Sequence, residues 1–263
     1  IHVQSGCAVA LLALRKGLGD HMVVPTILQW LSQAGLVGSV RIRTDGEGPV
    51  QAVAQALANA RSEAKTVVEI TPVSSFGSIG VCDAFIQLLA GQVRALRLDF
   101  RLRFGLNLPV NHPAFEWLVR HAVFLLNRYH RSLPRGNRTA YEILYEKPFT
   151  ESLTRFGAIG MARAPDALDL PKAEPRWFTA SWMGRAEDSG EHLVATSQGI
   201  RACRSSRLLP EGSQRADTFQ HVARWSIHVP EAVEAPPEPT SSTSPSTLGP
   251  GSRAGTRVSK ARA

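Results

Sequence analysis

Apolar and polar positions alternate along this chain in two regimes. Over residues 6–14 the character is continuously apolar (Gly-Cys-Ala-Val-Ala-Leu-Leu-Ala-Leu), which predicts a buried strand stopped by the turn residues of 15–20. Residues 23–34 then place Val24, Ile27, Leu28 and Leu31 at helical spacing, with Pro25 in the first turn and Gly35 at the end. A strand is expected over 39–44 and leads to Asp45. Residues 48–61 form a second helical stretch on Val50, Val53, Ala54 and Leu57, and the β-branched run 66–71 a further strand. The order strand, helix, strand, helix, strand describes an α/β layer with a substantially parallel sheet.

Longer periodicities follow. Residues 78–104 predict a long helix with an apolar stripe of Cys82, Ile86, Leu89, Val93, Leu96 and Phe100. Asp83, Gln87, Arg94, Arg97 and Arg101 lie off that stripe. A further helix starts near His112-Pro113 and carries Phe115, Leu118, Ala122, Leu125 and Tyr129 on one side. Thr139-Ala140-Tyr141-Glu142 reads as a capping box opening a short helix that stops at Pro148. Beyond residue 156, short strand-like runs at 158–164, 177–183, 191–196 and 199–207 alternate with Gly, Pro and Ser, which predicts a small all-β module. Trp177 and Trp182 are expected to fill its core. The linker 165–175 is rich in Pro, Asp and Ala, and from 230 onward the Pro/Ser/Thr/Glu-rich, then basic, sequence is expected to be disordered. The expected domains are 1–150, 151–212 and a mostly disordered tail over 213–263.

The net charge of +8 and pI near 10 favour an anionic partner, nucleic acid first. Nine Arg against Asp99 and Glu116 give a local balance of +7 between Arg94 and Arg138, either a DNA-contacting surface or a solvated face. Arg94, Arg97 and Arg101 share a helix face; Arg128, Arg131, Arg135 and Arg138 crowd a later helix end, and Arg201, Arg204 and Arg207 line the β module. Three scattered cysteines suit neither a disulfide framework nor a zinc finger, and His112, His121, His130 and His192 are expected in structural or solvent-facing roles. The apolar run at 8–14 is too short for a membrane span. No Gly-rich phosphate loop or nucleophile elbow is present, which argues against an unrelated α/β hydrolase or transferase.

The candidate chemistry lies between Val40 and Ile86. Asp45-Gly46 alone is a turn signal, and Asp83 alone an acid favoured near a helix N-terminus. An acid at a strand end and another on a following helix can converge on divalent cations, which need several carboxylate oxygens. Glu47 is a weaker candidate, explained equally well as a solvated loop acid.

Taken in order, Arg43-Thr44-Asp45-Gly46-Glu47, Thr71-Pro72-Val73-Ser74-Ser75-Phe76-Gly77-Ser78-Ile79-Gly80-Val81-Cys82-Asp83, Trp117-Leu118-Val119-Arg120-His121-Ala122, Arg138-Thr139-Ala140-Tyr141-Glu142 and Trp182-Met183-Gly184-Arg185 resemble the integrase region of long-terminal-repeat retrotransposons. The resemblance covers residues 5–212. It implies a ribonuclease-H-like core, short of its first strand, with flanking helices, followed by a small barrel-like β module. It also implies three acids holding two Mg²⁺ ions for strand transfer on DNA phosphates, homo-oligomers and a nuclear location. Carried over, Asp45 matches the second acid and Asp83 the third, where the family usually has Glu; Ile79 replaces a common Asn. Nothing in residues 1–19 replaces the first acid, so the site is expected to be incomplete and inactive. The alternative is a non-enzymatic, domesticated nucleic-acid-binding or oligomerisation protein.

Overall fold

The computed structural model describes residues 1–13, 15–61, 64–71, 80–164 and 171–222. Within these the chain is mixed α/β. Residues 72–79, with Ile79, residues 165–170 of the expected linker and residues 223–263 lie outside the described residues.

The N-terminal half holds one βαβ unit. Strand β1 (Val40–Thr44) pairs in parallel with β2 (Thr66–Ile70), Val40 beside Thr66 and Thr44 beside Ile70, and α2 (Gly48–Ala60) makes the crossover. Helix α1 (Val23–Gln33) packs on α2. Among the described residues the sheet here has two strands. The expected strand at 6–14 does not form over 6–13; Leu14 lies outside the described residues. That segment meets no free strand edge. Instead the Asn127 carboxamide accepts from Ala8 N (3.0 Å) and donates to Ala8 O (2.8 Å), replacing a strand's pair of bonds with one side chain. Ala8 and Asn127 are buried, so these bonds satisfy groups that water cannot reach.

Helix α3 (Gly80–Phe104) ends where Gly105, at φ 66°, turns left-handed and donates to Arg101 O. It crosses α4 (Pro113–Tyr129), whose N-cap His112 accepts from Ala114 N through Nδ1. The two-residue strands β3 (Arg131–Ser132) and β4 (Arg138–Thr139) pair antiparallel and lead into α5 (Ala140–Tyr145). The capping box forms: Glu142 N donates to Thr139 Oγ1 and Thr139 N to the Glu142 carboxylate. That backbone hydrogen bond, chiefly, holds the Glu142 carboxyl below its ordinary pKa.

The β module is a five-stranded antiparallel sheet in the order β8-β7-β6-β5-β9, from Gly199–Cys203, His192–Thr196, Trp177–Arg185, Ile159–Arg163 and Ser206–Leu208. Strands β8 and β9 form opposite edges, so the sheet is open where a barrel-like module was expected. The single run expected over 199–207 divides into these two edge strands. One sheet face gives Ile159, Met183 and Ala195 to a core shared with Phe100 and Phe104 of α3, Leu118 of α4 and Phe156. The other face buries Ala162, Ala180, Trp182, Val194 and Cys203. A Cβ at Gly157 would lie 2.9 Å from the Phe100 ring, so only glycine lets this backbone lie against α3. Phe219, on α6 (Ala216–Val222), packs against both Phe100 and Phe104, whose rings also touch each other. The short helix α6 thus packs on the same core.

Candidate functional site

Thr44 and Thr71 fix the C-terminal end of the parallel pair. Thr44 O accepts from both Thr71 N (2.9 Å) and Thr71 Oγ1 (2.7 Å), while the buried Thr44 Oγ1 has no hydrogen-bond partner among the described residues. Asp45 follows at once, half-buried, and its Oδ1 accepts from Glu47 N at 3.2 Å. One carboxylate oxygen is therefore committed to the turn that starts α2. Glu47, the weaker ligand candidate, is the N-cap residue of α2 and ion-pairs with Lys16. Asp83 stands exposed in the first turn of α3.

Asp45 and Asp83 share no hydrogen bond, and among the described residues no three His, Cys, Asp or Glu side chains converge as metal ligands would. Two magnesium ions need several hard oxygen ligands in near-octahedral order. Two carboxylates, one partly used in a turn, do not fit that demand.

The nine arginines between 94 and 138 divide into two groups. Six are tied into the fold. Arg103 pairs with Asp99 at 3.0 Å, and burial lowers its pKa against that partner's pull. Arg120 pairs with Glu116 (2.6 Å), and Arg131 with Glu142 (3.1 Å) and the Asn137 carbonyl. Arg135 donates to the carbonyls of Val3 and Gln4, and Arg138 to that of Glu142.

The sixth, Arg128, was a candidate DNA contact. Only 7% of its side chain is exposed, its guanidinium meets Glu187 at 2.6 Å, and it lies 3.8 Å from the Phe124 ring centroid with Tyr141 and Phe149 beside it. Such a group joins elements and cannot reach a phosphate. The remaining three are Arg94, Arg97 and Arg101, which make no ion pair among the described residues. Arg94 and Arg101 are exposed, and Arg97 lies 5.8 Å from the Phe115 ring centroid.

On the β module, Arg204 pairs with Glu191 at 3.4 Å but stays largely exposed, and Arg201 lies on edge strand β8 with its guanidinium 5.7 Å from the Phe178 ring centroid. Arg207 on the opposite edge covers Trp177 at 5.0 Å. Trp182 is buried and donates to His192 Nδ1, whereas Trp177 is only half-buried and sits beside Arg163 in register. Arg163 was not singled out from sequence; strand alternation, which sets residues 161 and 163 on the face of Arg207, is the signal that finds it.

Of the histidines, His121 is 3% exposed, stacked between Phe124 and Phe156 and edge-on to Trp182; desolvation lowers its pKa to about 4. It stays neutral and structural. Among the described residues no helix is long and apolar enough to cross a membrane.

Neither a family model nor a curated protein matches the sequence. Among solved structures, the chain is similar to one in the cryo-electron microscopy structure of the simian T-cell lymphotropic virus intasome in complex with PP2A regulatory subunit B56 gamma. The identity is 13% and the TM-score 0.41, over 78% of this chain and 69% of that one. A likeness at that score fixes neither the fold nor the chemistry.

Proposed function

We propose that the chain is an integrase-like nucleic-acid-binding protein that holds DNA without joining it. The observation that supports this most is the division of the arginines. Arg94, Arg97 and Arg101 are left unpaired on one side of α3, the helix that also carries Asp83. Cations held without a counter-charge are costly to keep in the compact state and are the groups that can neutralise phosphates. Arg201 and Arg207, each against an aromatic ring at a sheet edge, extend the same chemistry.

On this reading the β1-α2-β2-α3 run is the remnant of a ribonuclease-H-like core, with Asp45 and Asp83 in the places of two of its three acids. Magnesium and a nuclear site of action enter through the sequence resemblance alone. Asp45, with one oxygen committed to the Glu47 turn, and the exposed Asp83 do not by themselves hold the metal pair that joining needs, and on this reading these residues bind without joining.

Fluorescence anisotropy with a labelled DNA duplex tests the binding. Replacing Arg94, Arg97 and Arg101 together by Gln should weaken affinity at least about tenfold at moderate salt, while Arg128→Met leaves the affinity of folded protein unchanged. Equal affinity of the triple variant and the parent, or magnesium-dependent strand transfer by this chain, would contradict the proposal.

A further inference from the structure

Helix α3 carries a second apolar stripe, nearly opposite the one that meets the core. Val81, Ala84, Leu88, Gly91, Ala95, Leu98 and Leu102 recur at alternating intervals of three and four residues, which is the a/d pattern of a coiled coil sustained over the whole helix. All except the half-buried Gly91 are exposed, Leu98 by 55% and Leu102 by 77%. The core-facing positions Val93, Leu96, Phe100 and Phe104 lie on the other side, so the α3–α4 contact does not use this stripe. Leaving six apolar positions of one helix in water is unfavourable, and the strict spacing of the stripe matches one kind of occupant, another helix of the same period.

The flanking residues identify that helix. With Val81 at position a, the g positions are Gln87, Arg94 and Arg101, and the e positions Phe85, Gln92 and Asp99. In a parallel pair, each g residue faces the e residue five places on in the other helix. A second copy of α3 in register therefore sets Arg94 against Asp99 of the partner subunit, twice by symmetry, and Gln87 against Gln92 of the partner subunit. Antiparallel pairing of the same stripe would set Arg94 against Arg94 of the partner subunit.

Asp99 already holds Arg103 on its own helix, and its side chain is 41% exposed, with room to accept a second cation. Small residues at Ala84, Gly91 and Ala95 let the two backbones approach closely. A Cβ at Gly91 would meet only the Arg94 guanidinium, at 3.8 Å.

We infer that α3 is a dimerisation helix, pairing in parallel and in register with α3 of a second copy through the Val81-to-Leu102 stripe. The inference stands on α3 alone and does not depend on DNA binding. Arg94 is common to both surfaces and Arg101 flanks the stripe, but the dimer is measured without nucleic acid, and Arg97 reports on DNA binding alone.

Sedimentation of the full chain over micromolar to roughly 100 µM concentrations should show a reversible monomer–dimer equilibrium. Leu88→Glu with Leu98→Glu should weaken dimerisation at least about tenfold, and Gly91→Leu, which supplies the Leu favoured at d, should tighten it at least about tenfold. Arg94→Glu or Asp99→Arg alone should weaken it, and the two together should restore it, because the charge pair is only exchanged. In a Cys82→Ser background, Leu98→Cys should form an interchain disulfide, since matching d positions meet only in the parallel register. A monomer throughout the concentration range overturns the inference. So does a dimer indifferent to Gly91→Leu and to the paired Glu substitutions, or a Leu98→Cys variant that dimerises without crosslinking while the charge exchange fails to restore affinity.

Discussion

At the scale of single residues, the same side-chain type serves opposite ends according to what surrounds it. Arg128 is enclosed by Phe124, Tyr141 and Phe149 and neutralised by Glu187 on the β6–β7 turn. Arg128→Met keeps the bulk but removes the ion pair and the cation–π contacts. Because Glu187 is partly solvated and tolerates losing its partner, the expected cost is about 2 kcal/mol in chemical denaturation.

His121 gives a pH dependence of defined sign. Its folded pKa, about 4, lies below the ordinary value of 6.5, so between these pH values the unfolded chain binds a proton that the native chain refuses. Stability is therefore full above pH 6.5 and falls as the pH drops through this window, by up to about 3 kcal/mol from this group. Burial lowers His112 and His192 in the same direction and adds to the slope. His121→Phe, which preserves the ring stacking, should flatten the stability profile measured by urea unfolding between pH 7 and pH 4.5.

At the scale of elements, the sequence was most legible where periodicity and punctuation agree. The predicted β1-α2-β2 run, the start of α1 and the Thr139–Glu142 capping box are all present. The apolar run at 6–13 was misread because continuous apolarity states only that a segment is buried. A strand also needs a partner edge, and here Asn127, 119 residues from Ala8, supplies the hydrogen bonds instead. Asn127→Leu should leave the buried amide and carbonyl of Ala8 unpaired, costing about 1–3 kcal/mol and speeding hydrogen exchange at Ala8 before global unfolding. Unchanged exchange there would show that the carboxamide does not hold the segment. Arginine burial was illegible for a related reason. Phe124 and Tyr141 cage Arg128 only after α4 and α5 pack, and linear charge counting assigns all nine arginines the same role.

At the scale of the molecule, helices α3, α4 and α6 meet one face of the five-stranded sheet in a shared core. Phe100, Phe156, Ile159, Met183 and Phe219 reach it from α3, from the chain just before β5, and from β5, β6 and α6. Phe219 escaped notice because a lone aromatic in a polar stretch has no period to reveal it. Of the candidate site, the positions of Asp45 and Asp83 at a strand end and in a helix's first turn were readable in advance. The loss of one Asp45 oxygen to the Glu47 turn was not, since a turn hydrogen bond and a metal ligand use the same Asp-Gly signal.

In the proposed function this body meets DNA through the unpaired arginines of α3. The most direct measurement is the slope of log affinity against log salt concentration for a DNA duplex, in the parent chain and in the Arg94, Arg97, Arg101→Gln variant. Each phosphate contact contributes about 0.9 to the slope, so the variant's slope should be shallower by about 2 to 3. Parallel slopes for the two proteins, or an affinity in the parent that does not change with salt, would contradict it.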